Sequence, residues 1–562
     1  MNVRILKFPK FPSPNVASHL PRMAAIQPER VAVAVARGRA VDGSRRYDRL
    51  TFAELDDECD RLAWGLQAVG LSRGQRVVLM VPPSLEFFTL TFALFKIGAV
   101  PVLVDPGMGL PSLKKCLEEA EPRAFIGTTK AHLARTLFGW APGADRLVTV
   151  GPRLFWGGKT LEQVRAAGRA LPHQVADVEP SETAAILFTS GSTGVPKGAV
   201  YRHEVFAAQV EMLRSLYGIR PGEMDLATFP LFALFGPALG MSAIVPEMDA
   251  SKPGSADPEK LVAAIEDFGC TNMFGSPALV DRLSRHGERL GLKLPTLKRV
   301  LSAGAPVRGE VLARMQGLLS EGAQVFTPYG ATEVLPVCSI GSDELQATLE
   351  ATGEGAGVCV GRPAEGNELK IIRIDDGPIE RWSDELELPA GEIGEIVVRG
   401  PTVTHAYHGR PESTALAKIS DGARESRYPI WHRMGDLGRL DEEGRLWFQG
   451  RKAHRVVLPG GTLFTVPCER VFDTHPAVRR TALVGIEREG ARQPVICVEL
   501  EPGIGRGQHA RITAELRRLG AWRAHTRKIE RFLFHPGFPV DVRHNAKIFR
   551  EKLALWAQEV AP

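Results

Sequence analysis

The 562-residue sequence is short of several things, and each shortage excludes something. Its seven cysteines stand singly between Cys59 and Cys497, with no CxxC pair and none beside a histidine at metal-ligand spacing. This argues against a disulfide framework or a structural zinc site, and makes a reducing cytoplasm the expected setting. Long apolar runs are missing too. The most apolar stretch, Phe87–Val104, is broken by Lys96, Gly98 and Pro101, whereas a membrane span would be uninterrupted and uncharged. It reads as a buried helix ending at Gly98, then a strand into Asp105. The opening MNVRILKFPKFPSP has three prolines and no apolar h-region, so no secretory signal is expected. Repeats of solenoid period and low-complexity tracts are absent. Charge of one sign is scarce as well: 70 Lys and Arg face 65 Asp and Glu, and a net +5 is too little for a nucleic-acid coat.

What is present is the composition of a soluble globular protein, 44% apolar and 24% charged, at a length that accommodates about two to four domains. Short β-branched runs at Arg76–Val81, Val100–Val104, Ala124–Gly127, Leu147–Val150 and Ala184–Phe188 alternate with helical spacing over Thr51–Val69 and Leu110–Ala120. Such alternation predicts an α/β fold of parallel sheets covered by helices. From Gly391–Arg399, through Gly438–Leu440 and Arg445–Phe448, short strands with glycine turns predict a small β-rich subdomain. Mixed α/β patterning resumes after Gly450–Lys452, and the charge changes with it. Lys452 to the end holds 19 Lys/Arg and 11 Asp/Glu, a net +8, against −3 for the first 451 residues. We therefore expect an N-terminal domain over 1–450 and a C-terminal domain over 451–562. The basic excess suits either a solvated helix face or a module closing over an anionic ligand. Nucleic acid is a weak reading: Trp522 is the one Trp, Tyr or Phe interleaved in Arg517–Arg531, and no recognition motif is present.

The strongest motif is Thr189–Gly198, TSGSTGVPKG, set between the runs AAILF and AVYRHEVF. Glycines such as Gly191 and Gly194 let backbone N–H groups approach a phosphate. The hydroxyls of Thr189, Ser190, Ser192 and Thr193 add donors, and Lys197 supplies a counter-charge. It is not a Walker A loop, because Pro196 precedes the lysine and Gly198 follows it. The segment resembles the phosphate loop of the adenylate-forming superfamily, which includes acyl-CoA synthetases, luciferases and peptide-synthetase adenylation domains. The other motifs of that superfamily follow in order over nearly the whole chain. Gly304-Ala305-Pro306 matches the turn that lies along the adenine. Tyr329–Glu333, YGATE, matches the aromatic-Gly-x-Thr-Glu motif. The match implies that Tyr329, beside Gly330, stacks on adenine, Thr332 holds the α-phosphate and Glu333 binds Mg²⁺, roles that suit an aromatic face and a hard carboxylate. Asp436, in HRMGDLG, matches the ribose-binding aspartate, with Met434 where the superfamily usually has Ser or Thr. Arg451 matches the second ribose contact, at the hinge. Lys547 matches the C-terminal lysine that enters during adenylation, preceded by Ala546 in place of Gly. The resemblance thus implies ATP and Mg²⁺, a large layered α/β N-terminal domain with a small β subdomain, and a mobile C-terminal α/β lid.

Two departures bear on which reaction follows adenylation. Ala453 stands at the hinge position, two after Arg451, where acyl-CoA synthetases usually have Asp or Lys. Ala233 stands where they often carry His or another bulky residue at the mouth of the acyl pocket. Around it, Phe232, Leu234, Phe235 and Gly236 belong to an apolar run that is either a core element or a widened acyl channel. Whole phrases, among them TFPLFALFGPALG, TPYGATE and FPVDVRHNAKI, resemble most the branch of β-lactone synthetases of bacterial long-chain olefin biosynthesis. That resemblance implies a long-chain 2-alkyl-3-hydroxy acid whose adenylate is attacked by its own 3-hydroxyl, without CoA. It also implies partners with which the chain could assemble, the decarboxylase and the reductase of that pathway. A long-chain acyl-CoA synthetase or acyl-AMP ligase is the alternative, and a CoA requirement would mark it. A non-catalytic adenylate-binding subunit is disfavoured by the presence of Lys197, Glu333 and Lys547. For the group that takes the hydroxyl proton, His203, His405, His408, His432 and His454 are candidates by residue type alone.

Overall fold

The computed structural model describes residues 13–189, 196–422, 426–488, 490–540 and 548–560. The chain forms two compact units, one of Met1–Glu247 with Thr404–Pro411, the other of Met248–Val403 with Glu412–Pro562.

The first unit is built on a seven-stranded sheet. Its order is Lys159–Thr160, Arg146–Val150, Ala124–Thr128, Arg76–Met80, Val100–Val104, Thr183–Thr189 and Lys197–Arg202. Neighbours are parallel except the last pair, which is antiparallel. The interrupted apolar run forms the helix Leu85–Lys96 and the strand Val100–Val104, as its pattern predicts. Ser84 caps the helix by accepting from the Phe87 N–H, and Gly98, at φ +70°, turns the chain back into the sheet. Every residue from Phe87 to Lys96 is buried, so the helix is apolar all round rather than striped. Lys96 survives there because it is paired twice: its ammonium lies 2.5 Å from Asp56 Oδ1 and also contacts Asp60, both on the helix Phe52–Ala68. Three further strands of this unit, Val31–Arg39, Ser242–Val245 and Met224–Ala227, run parallel, with Arg45–Thr51 antiparallel on the first.

In the second unit, parallel strands Asn272–Gly275, Arg299–Ser302 and Gln324–Phe326 alternate with the helices Pro277–Leu290 and Gly309–Leu318. The β-rich segment is a six-stranded antiparallel sheet. Its order is Val358–Cys359, Leu446–Arg451, Ile430–Leu440, Gly394–Arg399 and Glu368–Ile372, with Lys418–Ser420 also paired to Ile430–Leu440. Farther on, Val478–Arg488, Ala491–Leu500 and Arg531–Phe534 form a three-stranded sheet covered on both faces. Leu483 and Ile496 pack with Phe472 and Ile512 on one side, Val484 and Val495 with Leu553 on the other. Alternate side chains therefore meet separate cores, which is why TALVGI and PVICV read as near-continuous apolar runs. All seven cysteines are free and buried. No helix among the described residues is long and apolar enough to cross a membrane.

Candidate active site

Thr189 and Lys197 end two adjacent antiparallel strands and are register partners, so the sheet closes the phosphate-loop motif at both ends. Ser190, Gly191, Ser192, Thr193 and Gly194 lie outside the described residues, as does the side chain of Thr189. The Lys197 ammonium sits 5.1 Å over the Tyr407 ring, a cation–π arrangement. Tyr407 is held there by its neighbours: Val200 N–H donates to Ala406 O at 3.0 Å and His408 N–H to Gly198 O at 2.8 Å. Gly198 answers to packing. A Cβ on it would lie 2.8 Å from both Ile186 Cγ2 and Phe188 Cζ.

In the second unit YGATE is a tight hairpin. Tyr329–Ala331 pairs with Val334–Ser339 and leaves Thr332 and Glu333 at the turn. Gly330 is required by that tightness, since a Cβ would meet Val334 O at 2.8 Å. Tyr329 Oη donates to Asp436 Oδ2 at 2.7 Å. Arg451 is the register partner of Asp436 on the next strand and places Nη1 3.0 Å from Asp436 Oδ1. Three residues far apart in sequence thus meet at one carboxylate. Burial pushes the Asp436 carboxyl above its usual range, against the Arg451 charge and the Tyr329 hydrogen bond, which pull it down. Burial and then the Asp436 charge push the Tyr329 phenol well up, so it remains a donor. Asp436 Oδ1 is ion-paired with the Arg451 guanidinium but accepts no well-aligned hydrogen bond among the described residues. A buried carboxylate oxygen in that condition is fit to accept a ligand hydroxyl. Met434, where Ser or Thr was expected, packs with Val334, Val398 and Leu446 in the core. Gly304 follows the strand Arg299–Ser302 at φ +96°, a left-handed turn that favours glycine, with Ala305 and Pro306 half-buried beside it.

Two features escape sequence reasoning. Lys418 lies opposite His432 in the strand pair Lys418–Ser420 and Ile430–Leu440. Paired residues project on the same side of a sheet, and the alternate pair, Ile419 and Trp431, enters the core on the other side. Burial lowers the Lys418 ammonium to about 7, with the Glu333 charge opposing. The same Glu333 charge also raises Asp436, so the hairpin turn acts on both groups. The second feature is a buried ion cluster beside Arg451. Glu395 takes Arg433 Nη2 at 2.6 Å and Lys452 Nζ at 3.0 Å. Lys452 Nζ also donates to Asp375 O at 2.7 Å, and Arg455 meets Asp376 at 2.5 Å.

A family model described as AMP-binding enzyme matches residues 20–408. The chain belongs to the AMP-binding enzyme family. It is 52% identical over 546 residues to an olefin beta-lactone synthetase of Xanthomonas campestris pv. campestris, covering 97% of this chain and 98% of that one. It is 50% identical over 545 residues to an olefin beta-lactone synthetase of Stenotrophomonas maltophilia, with the same coverage of 97% and 98%. Among solved structures, ATP-bound MatB from Rhodopseudomonas palustris aligns with a TM-score of 0.77 over 98% of this chain and 100% of that one, at 22% identity. That likeness shows the shared fold.

In this AMP-binding enzyme the apolar run forms the helix Pro230–Leu239. The side chains of Phe232, Ala233 and Leu234 lie outside the described set. The Phe235 ring is 5.9 Å from Phe206, which stacks on Tyr201 at 4.8 Å. Gly236 lets the helix approach the strand Ser242–Val245, a Cβ there meeting Ala243 Cβ at 3.4 Å. Lys547 lies outside the described residues. Of the histidines, His203 is buried and pulled down to about 4 by that burial, so it is neutral near pH 7. His432 Nδ1 is 3.1 Å from Ala417 O, and His454 Nε2 is 3.1 Å from Glu551. Burial lowers His408 and His454 as well.

Proposed function

We propose that this AMP-binding enzyme is an ATP-dependent β-lactone synthetase acting on a long-chain 2-alkyl-3-hydroxyalkanoic acid. The reading is carried by the half-identity, over nearly the full length, to two olefin beta-lactone synthetases. A carboxylate oxygen of the acid attacks the α-phosphorus of ATP, and pyrophosphate leaves in line. The 3-hydroxyl oxygen then attacks the acyl carbon, its proton passes to a base, the bond to AMP breaks, and the four-membered ring closes. Acid and ATP give β-lactone, AMP and pyrophosphate. An internal nucleophile has a high effective concentration, which helps offset ring strain.

Roles follow from the motifs. The 189–194 loop and Lys197 hold the phosphates, and Thr332 the α-phosphate. Tyr329 and Gly304-Ala305-Pro306 line the adenine. Asp436 and Arg451 take the ribose hydroxyls, a role supported by their pairing at 3.0 Å beside Tyr329. Phe232 to Gly236 line the acyl chain. Lys547 enters for adenylation as the 451–562 domain closes on the 1–450 domain and excludes water. Glu333 would hold Mg²⁺. Its hard carboxylate oxygens, at the turn between Tyr329–Ala331 and Val334–Ser339, are donors of the kind such a cation would take. Bound there, Mg²⁺ neutralises charge on the phosphates. The site of action is the cytoplasm, with a reductase supplying the hydroxy acid and a decarboxylase consuming the lactone.

A product mass spectrum tests this. Enzyme, Mg-ATP and a long-chain 2-alkyl-3-hydroxy acid are expected to give AMP and a product one water lighter than the acid, without CoA. A thioester formed only with CoA would overturn the reading in favour of an acyl-CoA synthetase.

A further inference from the structure

The helix Thr129–Phe138 of the first unit buries Ala131 and His132 and turns other side chains to solvent. Leu133 and Leu137, four apart and hence neighbours on the helix surface, are 38% and 70% exposed, and Phe138 is 44% exposed. The loop 151–158 is fastened to this helix. Thr129 Oγ1 donates to Pro152 O at 2.6 Å, and the Trp156 ring stacks on His132 at 5.4 Å. Next to Trp156, Leu154 and Phe155 are 52% and 73% exposed. Single exposed apolar side chains are ordinary. Five of them on two anchored, adjoining segments mark an interaction face.

The charges nearby point to what it meets. Residues 129–160 include Lys130, Arg135, Arg146, Arg153 and Lys159 but a single acid, Asp145. That acid is engaged by Arg123 at 2.7 Å and Arg146 at 3.2 Å. Lys130, Arg153 and Lys159 are exposed. Exposed apolar side chains interspersed with exposed cations along the same two segments match the boundary between acyl chains and anionic headgroups. We propose that this face docks the enzyme peripherally on an anionic lipid bilayer. Leu133, Leu137, Phe138, Leu154 and Phe155 enter the acyl boundary, while Lys130, Arg153 and Lys159 meet headgroup phosphates. On the function proposed above, acid and lactone both carry two long alkyl chains, so the bilayer is also their reservoir. That link rests on the proposed function; the surface does not.

Vesicle flotation tests the face with the full chain. Extruded vesicles of phosphatidylcholine with phosphatidylglycerol should carry wild-type protein, and pure phosphatidylcholine should carry far less. The Leu137→Glu/Phe155→Glu variant should lose binding to the anionic vesicles about tenfold or more. Lys130→Glu/Lys159→Glu should lose about tenfold as well, and wild-type binding should fall with added salt. These exposed substitutions leave the core untouched, and unchanged circular dichroism should accompany each loss. Failure of the wild type to float with anionic vesicles, or flotation of both variants like wild type, would overturn the proposal. So would lipid-free self-association that the Leu137→Glu/Phe155→Glu variant abolishes, because the face would then belong to a second copy of the chain. AMP release from a detergent-dispersed long-chain 2-alkyl-3-hydroxy acid without vesicles should be equal in all three proteins. Its absence in all three would count against the proposed function and leave the flotation result standing.

Discussion

Replacing Tyr329 by Phe keeps the ring and removes one oxygen, the donor 2.7 Å from Asp436 Oδ2. A hydrogen bond to a charged group contributes about 1.5–3 kcal/mol, so the variant should be less stable by that amount where Asp436 is ionised. The sign with pH follows from the direction of the Asp436 shift. Its carboxyl already lies above the ordinary value, and Tyr329 is one of the groups holding it down. A raised folded-state acid loses stability as pH rises from its unfolded value through its folded one. The variant should therefore lose more, and over a window extending to higher pH, than wild type does. Urea unfolding at acidic and at alkaline pH should show the difference between the proteins growing with pH. If an ionised Asp436 accepts the ribose hydroxyls, the acid limb of kcat/KM for ATP should also move to higher pH, while the retained ring preserves stacking. A stability difference independent of pH, together with an unmoved acid limb, would refute the idea that Tyr329 sets the charge of Asp436.

Lys197→Ala and Glu333→Ala should each abolish AMP formation with circular dichroism unchanged; normal AMP release by either folded variant would remove that residue from the site. Gly198→Ala should destabilise by about 1–3 kcal/mol through its collision with Ile186 and Phe188, read as a lowered urea midpoint. Lys418, lowered to about 7 from 10.5, should make wild-type stability rise between about pH 7 and pH 10, because the unfolded chain binds a proton that the folded one has released. The rise is at most about 5 kcal/mol, and Lys418→Met should remove it from the denaturation-versus-pH curve.

Much of this was legible from the chain alone where local rules are strict. The strand Val100–Val104 has the predicted bounds because glycine and proline punctuate it. YGATE and Gly304-Ala305-Pro306 are recognisable by the motifs they resemble, and the structure adds why their glycines are fixed: a tight hairpin and a left-handed φ. Other features depended on partners distant in sequence. Lys96 looked like an interruption in an apolar run, and its neutralisers, Asp56 and Asp60, come from another helix. Met434 looked like a departure within the site, yet its side chain fills a core to which four other strands contribute. Lys418 carries no motif, and its relation to Glu333 exists only once the short strand Lys418–Ser420 pairs with Ile430–Leu440. Gly198, at the end of the phosphate-loop motif, is demanded instead by packing against Phe188 and Ile186.

The ion cluster around Glu395 has a bearing on chimeras. Its two cations come from either side of residue 451, Arg433 before it and Lys452 after it, and Arg455 reaches back to Asp376. Splicing a relative's C-terminal segment at 450/451 imports foreign side chains at both later positions. Should they lack the charge, Glu395 would keep one cation where it had two, an imbalance that in buried clusters costs about 3–5 kcal/mol. A joint placed after Arg455 keeps the cluster within one parent, so hybrids should be cut there, several residues beyond where the change in sequence pattern invites it.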